Sequence, residues 1–595
     1  MNHTELKDFY SQRLNLYSEK YETYRKKERN TNILRGLSFV GGTALAIISA
    51  NYSMPIMTLV IIATIIIFLF FVKKNAEYQY QKSINKNLRD INASELKALD
   101  NDNSDFDGGD EFIDPSHPYT YDLDIFGKKS IFQKVNRTIT HGGKLLLANG
   151  FINQSKDINK ILETQQNTLL FENEVDARQN FIAEGKLFKD DITDQNIEDI
   201  SKADYFFTNS PLWKIIAIIL IIGTLSSLIL ASYDIVNMYI PSFLFIVQLS
   251  IFSFNSKKTK VLSDKIEKTE KAFKKYYSLF RIIENINNVP QKFSDEIKSK
   301  TISKALGELA TIALRYEQRH NLIMALFGQG LFSYDIIINT KFENWERKYC
   351  SKIKHWFEII AEYDFLFSLA NLKFNNPNWC FPKPAEKEFI LNAKNAGHPL
   401  IQDEKCVRNN INFSDQKYLI ILTGANMAGK STYLRTIGTN LILSQLGAVV
   451  CAESFEFSPV EILTSIRTSD SVQESESYFF AELKRLQKII TKLESGATLF
   501  VIVDEMLRGT NSKDKHDGSE KFLRKLLKYK CYGIFATHDI NIGNLREEYP
   551  QNIATKCFEI TFDSDRLIFD YTLKDGISKN LNASYLMKKM GIIEI

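Results

Sequence analysis

The stretch YLIILTGANMAGKSTYLRT, from Tyr418 to Thr436, carries the most specific pattern in the C-terminal part of the chain. Its centre, Gly424 to Ser431, fits the pattern G-x-x-x-x-G-K-[ST] without a mismatch. A β-forming run precedes it and a helical pattern follows it, which is the context that a phosphate-binding loop requires. We expect the loop backbone to wrap phosphates and Lys430 to contact the β and γ oxygens. The predicted ATP-binding residues are Gly424, Asn426, Met427, Gly429, Lys430, Ser431 and Thr432.

Two further strand ends carry polar side chains that fit the same chemistry. LFVIVDE brings Asp504 and Glu505 to the end of an apolar run, and IFATHD does the same for His538. With Ser431, Asp504 is predicted to hold Mg²⁺, and Glu505 is predicted to polarise the attacking water. His538 is expected to contact the γ-phosphate as a neutral ring. Acids and histidines at strand ends also occur without function, but the phosphate loop in the same chain favours the predicted roles of Lys430, Glu505 and His538 in catalysis.

From about Phe389 onward, short β-rich runs alternate with helical segments, which is typical of a parallel sheet covered by helices. The chain ahead of it is helical in character. The predicted fold class is therefore an α/β P-loop domain that follows an all-α core.

Two long apolar blocks interrupt the helical part. Gly36 to Val72 contains no charged residue, and Ile215 to Ser256 contains only Asp234. About twenty apolar residues cross a bilayer, so each block is long enough for two helices. The alternative is that they are buried helices of a soluble core, which rarely leaves such long stretches uncharged. The prediction is four membrane spans in two hairpins.

Lys and Arg flank both blocks and are absent from both turns between the helices, NYS and SYDIVN. By the positive-inside rule, the turns face away from the cytoplasm. The expected location is the bacterial inner membrane, with the ATPase domain and both termini cytoplasmic. No secretory signal is recognised at the start of the sequence.

The formal charge of +4 is nearly neutral for 595 residues and argues neither for nor against nucleic acid. Six cysteines without a C-x-x-C pair indicate reduced thiols rather than a metal site. The predicted units are an N-terminal helix (1–32), the first hairpin (33–74), a helix with an acidic linker (75–121), a first core part (122–210), the second hairpin (211–256), a second core part (257–388) and the ATPase domain (389–595).

The order of these motifs belongs to the ABC-type ATPase superfamily, in which a transporter would also place membrane helices before its ATPase. The L-S-G-G-Q of ABC transporters is missing. Instead, DSVQESESYFFAE resembles the D-x-x-x-x-G-x-S-T-F-x-x-E segment of the MutS mismatch-repair family, with matches at Asp470, Ser477, Phe479 and Glu482 and departures at Ser475 and Tyr478. The segments TGANMAGKST, DEMLRGT, FATHD and AGHPLI resemble MutS motifs as well. With less specificity, NRTIT from Asn136 resembles the start of the MutS helical core.

The resemblance implies a homodimer in which the partner copy completes each ATP site. Ser477 and Glu482 would form the signature presented in trans, and Thr510 and Asn511 would lie in a loop at the dimer interface. The family's mismatch-reading G-x-F-Y/F-E motif is not found ahead of Asp122, and a DNA-clamp insertion is not evident. Direct mismatch reading is therefore not expected.

The resulting hypothesis is a membrane-anchored MutS-type ATPase that uses ATP and Mg²⁺, couples ATP to dimer closure and engages DNA. The DNA role rests on the resemblance alone. A membrane scaffold or remodelling ATPase that does not bind DNA stays open as an alternative. A transporter component is disfavoured by the missing L-S-G-G-Q and the small number of spans.

Overall fold

The computed structural model describes residues 1–188, 206–209, 211–267, 270–386, 389–425, 427–467, 478–507, 510–563 and 566–578. These residues form a helical N-terminal part and a C-terminal part of mixed α/β structure, in agreement with the predicted classes. The first group of helices is α1 (His3–Ala50), α2 (Met54–Leu99), α3 (Ile131–Val135), α4 (His141–Ile152), α5 (Ile158–Phe171), α6 (Val175–Gly185) and α7 (Phe206–Asn209). The second group is α8 (Pro211–Ser232), α9 (Tyr239–Glu267), α10 (Glu270–Ile283), α11 (Ser294–Lys298), α12 (Thr301–Glu317), α13 (Leu322–Phe332) and α14 (Tyr334–Asn375).

Helices α1 and α2 form a long antiparallel hairpin closed by the turn at Asn51. Asn2 and Glu5 start α1 with a capping box, in which each side chain accepts a hydrogen bond from the other residue's backbone at 2.9 Å. Pro55 stands in the first turn of α2, where its missing N–H costs no helical hydrogen bond. The hairpin therefore begins and turns where its sequence supplies the capping residues.

Three of the described helices are long and apolar enough to cross a membrane. They are α1, α2 and the Leu212–Ser232 part of α8. The fourth predicted span corresponds to α9, in which the described apolar run, Tyr239–Ile251, is shorter than a full span. By length and composition, the described helices therefore agree with three of the four predicted spans.

The parts of α1 and α2 that lie far from their connecting turn pack on the helical core. Tyr17, Ile84, Leu88 and Ile91 form a small apolar cluster with Ala183 of α6. Deeper in the core, α14 runs unbroken for 42 residues. The carboxylate of Asp364 in α14 accepts hydrogen bonds from the backbone of Ile139 and Thr140, in the segment NRTIT. That segment, predicted as the start of the core, is thereby fixed to its central helix.

The C-terminal part contains two sheets and further helices. The strands are β1 (Lys383–Pro384), β2 (Leu391–Ala396), β3 (Asn409–Phe413), β4 (Leu419–Gly424), β5 (Ser454–Phe457), β6 (Glu461–Ser465), β7 (Leu499–Asp504), β8 (Tyr532–Thr537), β9 (Ile553–Asp563) and β10 (Arg566–Asp575). The helices are α15 (Lys430–Leu446), α16 (Tyr478–Glu494), α17 (Ser512–Lys528) and α18 (Leu545–Glu548).

The larger sheet has the order β10-β9-β4-β8-β7-β6. Its pairs are parallel except for β10 with β9, and β4 lies between β8 and β9. The four-stranded sheet has the order β1-β5-β2-β3. Because the carboxyl ends of parallel strands meet at one edge, the ends of β4, β7 and β8 converge there. This edge positions the candidate site.

Candidate nucleotide-binding site

The loop between β4 and α15 has the backbone that its glycines predict. Gly424 has φ of +153° and Gly429 has φ of +104°, both outside the range that other residues readily adopt. A Cβ at Gly424 would lie 2.9 Å from the Phe558 carbonyl oxygen, so the loop also needs glycine for space. Asn426 lies outside the described residues, and Met427 exposes its side chain.

Lys430 is the first residue of α15, and its side chain turns back into the loop. Its Nζ donates to the carbonyl oxygens of Gly424 at 2.8 Å and Ala425 at 2.9 Å. The residue is buried although it carries a charge. The ammonium group is therefore held under the loop, where backbone N–H groups and the start of a helix favour an anion.

The acidic side chains lie directly beside this loop. The Ser431 hydroxyl donates to Asp504 Oδ2, which joins the start of α15 to the end of β7. Glu505 follows with φ of +58°, and its carboxylate accepts from Lys515 Nζ at 2.7 Å. A hydroxyl and a carboxylate are the hard oxygen donors that Mg²⁺ prefers, so Ser431 and Asp504 fit the predicted metal-holding pair.

His538 follows β8 and faces the same space. Its ring nitrogens lie 3.4 and 3.5 Å from Lys430 Nζ, and Nε2 lies 4.0 Å from a Glu505 carboxylate oxygen. Burial, together with the nearby Lys430 charge, lowers the pKa of His538 below its ordinary value, although Glu505 opposes this. The ring is therefore neutral at pH 7, so one of its nitrogens donates a hydrogen bond and the other accepts one.

These residues line one cleft of about 530 Å³, a size that suits a nucleotide. The structure brings together Met427, Gly429, Lys430, Ser431, Thr432, Asp504, Glu505 and His538 on its wall. The opposite wall of the cleft comes from the smaller sheet and the β9–β10 hairpin, and its residues were not predicted from the sequence. That wall includes Ile401, Lys405, Val407, Asn409, Phe558 and Tyr571. The segment AGHPLI was the one available signal, because it ends at Ile401.

The structure describes three of the four residues that were predicted to face the partner copy. Ser477 lies outside the described residues. Glu482 is buried in α16, and its carboxylate accepts from the Leu507 backbone N–H at 2.6 Å within the same chain. Asn511 caps α17 by accepting from the Asp514 N–H at 2.9 Å, and Thr510 directly precedes it. Glu482 therefore holds the loop that follows Asp504 and Glu505.

Comparison with known proteins identifies this C-terminal part. The family model for MutS domain V matches residues 420–592, which includes the loop, both acidic residues and His538. Over this part, the chain is similar to proteins of the MutS family. Domain V is the C-terminal ATPase region of MutS proteins, so the predicted resemblance is confirmed.

Three relatives define the extent of the likeness. The DNA mismatch repair protein MutS of Thermotoga maritima is 27% identical over 251 residues, covering 41% of this chain and 31% of that protein. The protein of the same description from Chlorobium phaeovibrioides is 31% identical over 37% of this chain and 26% of its own length. MutS protein homolog 4 of Mus musculus is 30% identical over 32% of this chain and 21% of its own length. The chain spans less than a third of the length of the relatives that it matches.

Proposed function

We propose that this chain binds and hydrolyses ATP with Mg²⁺ while anchored in a membrane. The observation that carries the proposal is the convergence of Lys430, Ser431, Asp504, Glu505 and His538 on one nucleotide-sized cleft. Each of the three parallel strands β4, β7 and β8 contributes its carboxyl end, which is where open α/β sheets bind ligands. The family match adds that MutS proteins are ATPases.

Each side chain of the cleft has its own role in the proposed reaction. Lys430 places its charge against the terminal phosphates, and Ser431 and Asp504 would hold the metal ion. When bound, Mg²⁺ neutralises charge that develops on the phosphate oxygens. Glu505 orients water and accepts its proton, while Lys515 fixes one Glu505 oxygen at 2.7 Å. Neutral His538 donates a hydrogen bond toward the γ-phosphate without adding a second positive charge beside Lys430.

We further propose that two copies close over the nucleotide. In this proposal Ser477 of one copy meets the γ-phosphate of the other, and the loop of Thr510 and Asn511 contacts the partner. Asn511 caps α17, and Lys515 of the same helix donates to Glu505 at 2.7 Å, so the position of Asn511 is coupled to that of Glu505. ATP would favour the closed dimer because only that state supplies both halves of the site.

The membrane proposal rests on the surfaces of α1, α2 and α8. Their apolar segments are exposed in the structure, an arrangement that is unfavourable in water and favourable in hydrocarbon. Large exposed side chains include Leu59, Ile66, Leu69, Phe70, Ile219 and Ile222. We propose that the ATPase domain lies on the cytoplasmic side of a bacterial inner membrane, and the Lys and Arg residues that flank the apolar segments support this orientation.

The first hairpin reaches the rim of the nucleotide cleft. Asn101, just after α2, donates through its side chain to the Leu400 carbonyl oxygen, and Gln402 donates to the Asp100 carbonyl oxygen at 2.7 Å. Ile401, between these contacts, lines the cleft. A change at the nucleotide can therefore reach the anchored hairpin through a single loop.

DNA is the proposed partner of the assembled dimer, without direct mismatch reading. Its support is the description of the bacterial relatives as DNA mismatch repair proteins. The alternative of a DNA-independent membrane scaffold or remodelling ATPase is favoured by the anchoring helices alone.

Binding to homoduplex, mismatched and branched DNA separates these functions. Full-length protein in nanodiscs is titrated with each DNA at two salt concentrations, with and without ATP, beside the Lys430→Ala variant. DNA engagement predicts nucleotide-dependent binding that weakens steeply as salt rises. ATP hydrolysis without binding to any DNA would overturn the DNA proposal and favour the scaffold.

A further inference from the structure

A short apolar helix, α13, covers one side of the pair α8 and α9. Its sequence, LIMALFGQGLF, contains no charged residue. Gly330 lies so close to Phe245 of α9 that a Cβ at this position would overlap the ring. The rings of Phe327 and Phe245 are 6.4 Å apart between centroids. Helix α13 therefore packs directly on α9, within the apolar run Tyr239–Ile251.

Polar contacts fix the depth at which α13 ends. The Ser333 hydroxyl, which follows α13, donates to Gln248 Oε1 at 2.8 Å. Gln248 in turn donates to the Thr224 hydroxyl at 2.7 Å. Thr224 lies eight residues before the end of the apolar segment Leu212–Ser232, close to its middle. The end of α13 is thus level with the middle of α8.

In the group formed by α8, α9, α13 and the start of α14, polar side chains lie inside and apolar side chains lie outside. Gln248, Thr224 and Ser333 are buried, as is Asp335, which pairs with Arg319 at 3.0 Å. On the outside of α13, Leu326 is 43% exposed, Phe327 is 51% exposed and Phe332 is 45% exposed. A surface facing water shows the reverse arrangement, whereas a protein in hydrocarbon must satisfy its polar groups internally.

We propose that α13 is inserted in the bilayer beside α8 and α9, with Leu326, Phe327 and Phe332 in contact with lipid acyl chains. The proposal rests on the membrane anchoring proposed above. Lipid is the occupant because Phe327 adjoins Phe245, whose neighbours Phe243 and Ile246 on α9 are exposed as well. The apolar face of α13 continues the outer surface of the second hairpin at the same depth.

This insertion gives the bilayer a direct connection to the ATPase domain. Helix α14 begins at Tyr334, immediately after α13, and runs unbroken to Asn375. Its 42 residues span roughly 63 Å at 1.5 Å per residue. The smaller sheet of the C-terminal part begins soon afterwards at Lys383. A movement of that domain would therefore act on a membrane-inserted element through one helix.

Site-directed nitroxide labelling tests the proposal in the full chain. Leu326→Cys is labelled in a background whose partly exposed Cys350, Cys380 and Cys406 are replaced by Ala, and the background alone serves as the blank. Two matched sites are labelled in parallel: Ile222→Cys on α8, 62% exposed, and Leu169→Cys on α5, 48% exposed. In lipid nanodiscs, accessibility to oxygen and to a water-soluble nickel chelate is measured at each label.

We expect Leu326→Cys to match Ile222→Cys, with high oxygen and low nickel accessibility, and Leu169→Cys to show the opposite. A label at 326 that meets the nickel chelate while the label at 222 does not would overturn the insertion of α13 and leave the anchor standing. Nickel accessibility at both sites would overturn the anchor too. A label at 326 shielded from both reagents would mean that protein, and not lipid, covers α13, which also overturns the proposal.

Discussion

Arg137 and Glu95 form a buried ion pair, with Arg137 Nε 2.6 Å from Glu95 Oε1 and side chains only 4% and 2% exposed. The pair joins the N-R-T segment of the helical core to α2, the second helix of the first hairpin. Asn371 and Asn375 of α14 donate to the same carboxylate at 3.1 and 2.8 Å. Glu95 is therefore the residue through which the hairpin, the core and the long helix meet.

Removing one member of this pair should destabilise the protein strongly. Glu95→Ala leaves Arg137 buried without its counter-ion, and such changes cost about 3–5 kcal/mol. Thermal unfolding in detergent, followed by tryptophan fluorescence, measures the loss. The matched control is Glu22→Ala, which removes an exposed pair with Arg25 and should cost under about 1 kcal/mol. Equal losses in the two variants would contradict the joining role of Glu95.

Lys430→Ala should weaken ATP binding by roughly 10- to 100-fold, because charge-assisted hydrogen bonds to phosphate are lost. A fluorescent ATP analogue titrated into the nanodisc-bound protein gives the dissociation constant. Lys521→Ala, at an exposed lysine of α17, should leave it unchanged. Unaltered affinity in Lys430→Ala would show that the nucleotide binds elsewhere.

Glu482 should act on turnover through the loop that carries Glu505. Glu482→Ala leaves the buried Leu507 N–H without its acceptor, at a cost of about 1–3 kcal/mol. We expect kcat to fall with little change in nucleotide affinity, and Glu482→Gln, which keeps an acceptor oxygen, to retain most of the rate. If Gln and Ala lowered kcat equally, the hydrogen bond to Leu507 would not be the cause.

His398 should make stability depend on pH. Burial, together with the Arg435 charge, lowers the pKa of His398 to about 4, whereas the pKa of an unfolded histidine is about 6.5. As the pH falls below 6.5, the unfolded chain binds the proton first and the folded state loses stability. Between pH 7 and pH 5 this single group accounts for a loss of about 2 kcal/mol.

The variant His398→Asn isolates that contribution, because carboxylates also titrate in this range. Asn can still accept from the Leu400 N–H, which His398 Nδ1 does at 3.2 Å. The free energy of unfolding of both proteins is measured at pH 7 and pH 5. The variant should lose less stability than the parent over this interval. Identical losses would mean that His398 is not the responsible group.

The nucleotide-facing half of the site could be predicted from sequence because it is built from local patterns. Gly424 to Ser431 occupies consecutive positions, and Asp504 and His538 end apolar runs that fold as adjacent parallel strands. The opposite wall could not be predicted in this way. Val407 and Tyr571 reach the cleft from separate strands and loops, and only the folded chain brings them together.

In the helical part, too, local sequence patterns could be predicted and contacts between distant segments could not. The long uncharged stretch of α2 is evident in the sequence, because composition alone identifies it. The segment of α13 was predicted only as part of the helical core, because its 11 uncharged residues are too few to indicate a span and lie among charged helices. The Arg137–Glu95 pair was likewise beyond prediction, because 42 residues separate its members in sequence. The position of α13 and the Arg137–Glu95 pair depend on contacts between segments that are far apart in sequence.

The most direct test of ATP hydrolysis in this cleft is the rate of phosphate release by the full chain in nanodiscs, compared with Glu505→Gln. We expect the variant to bind ATP as tightly as the parent but to release phosphate on the order of 100-fold more slowly, since a general base contributes that much or more. Glu547→Gln, at an exposed residue of α18, should keep the parental rate. Equal rates in the parent and Glu505→Gln would contradict the assignment of Glu505 and, with it, the proposed mechanism of the cleft.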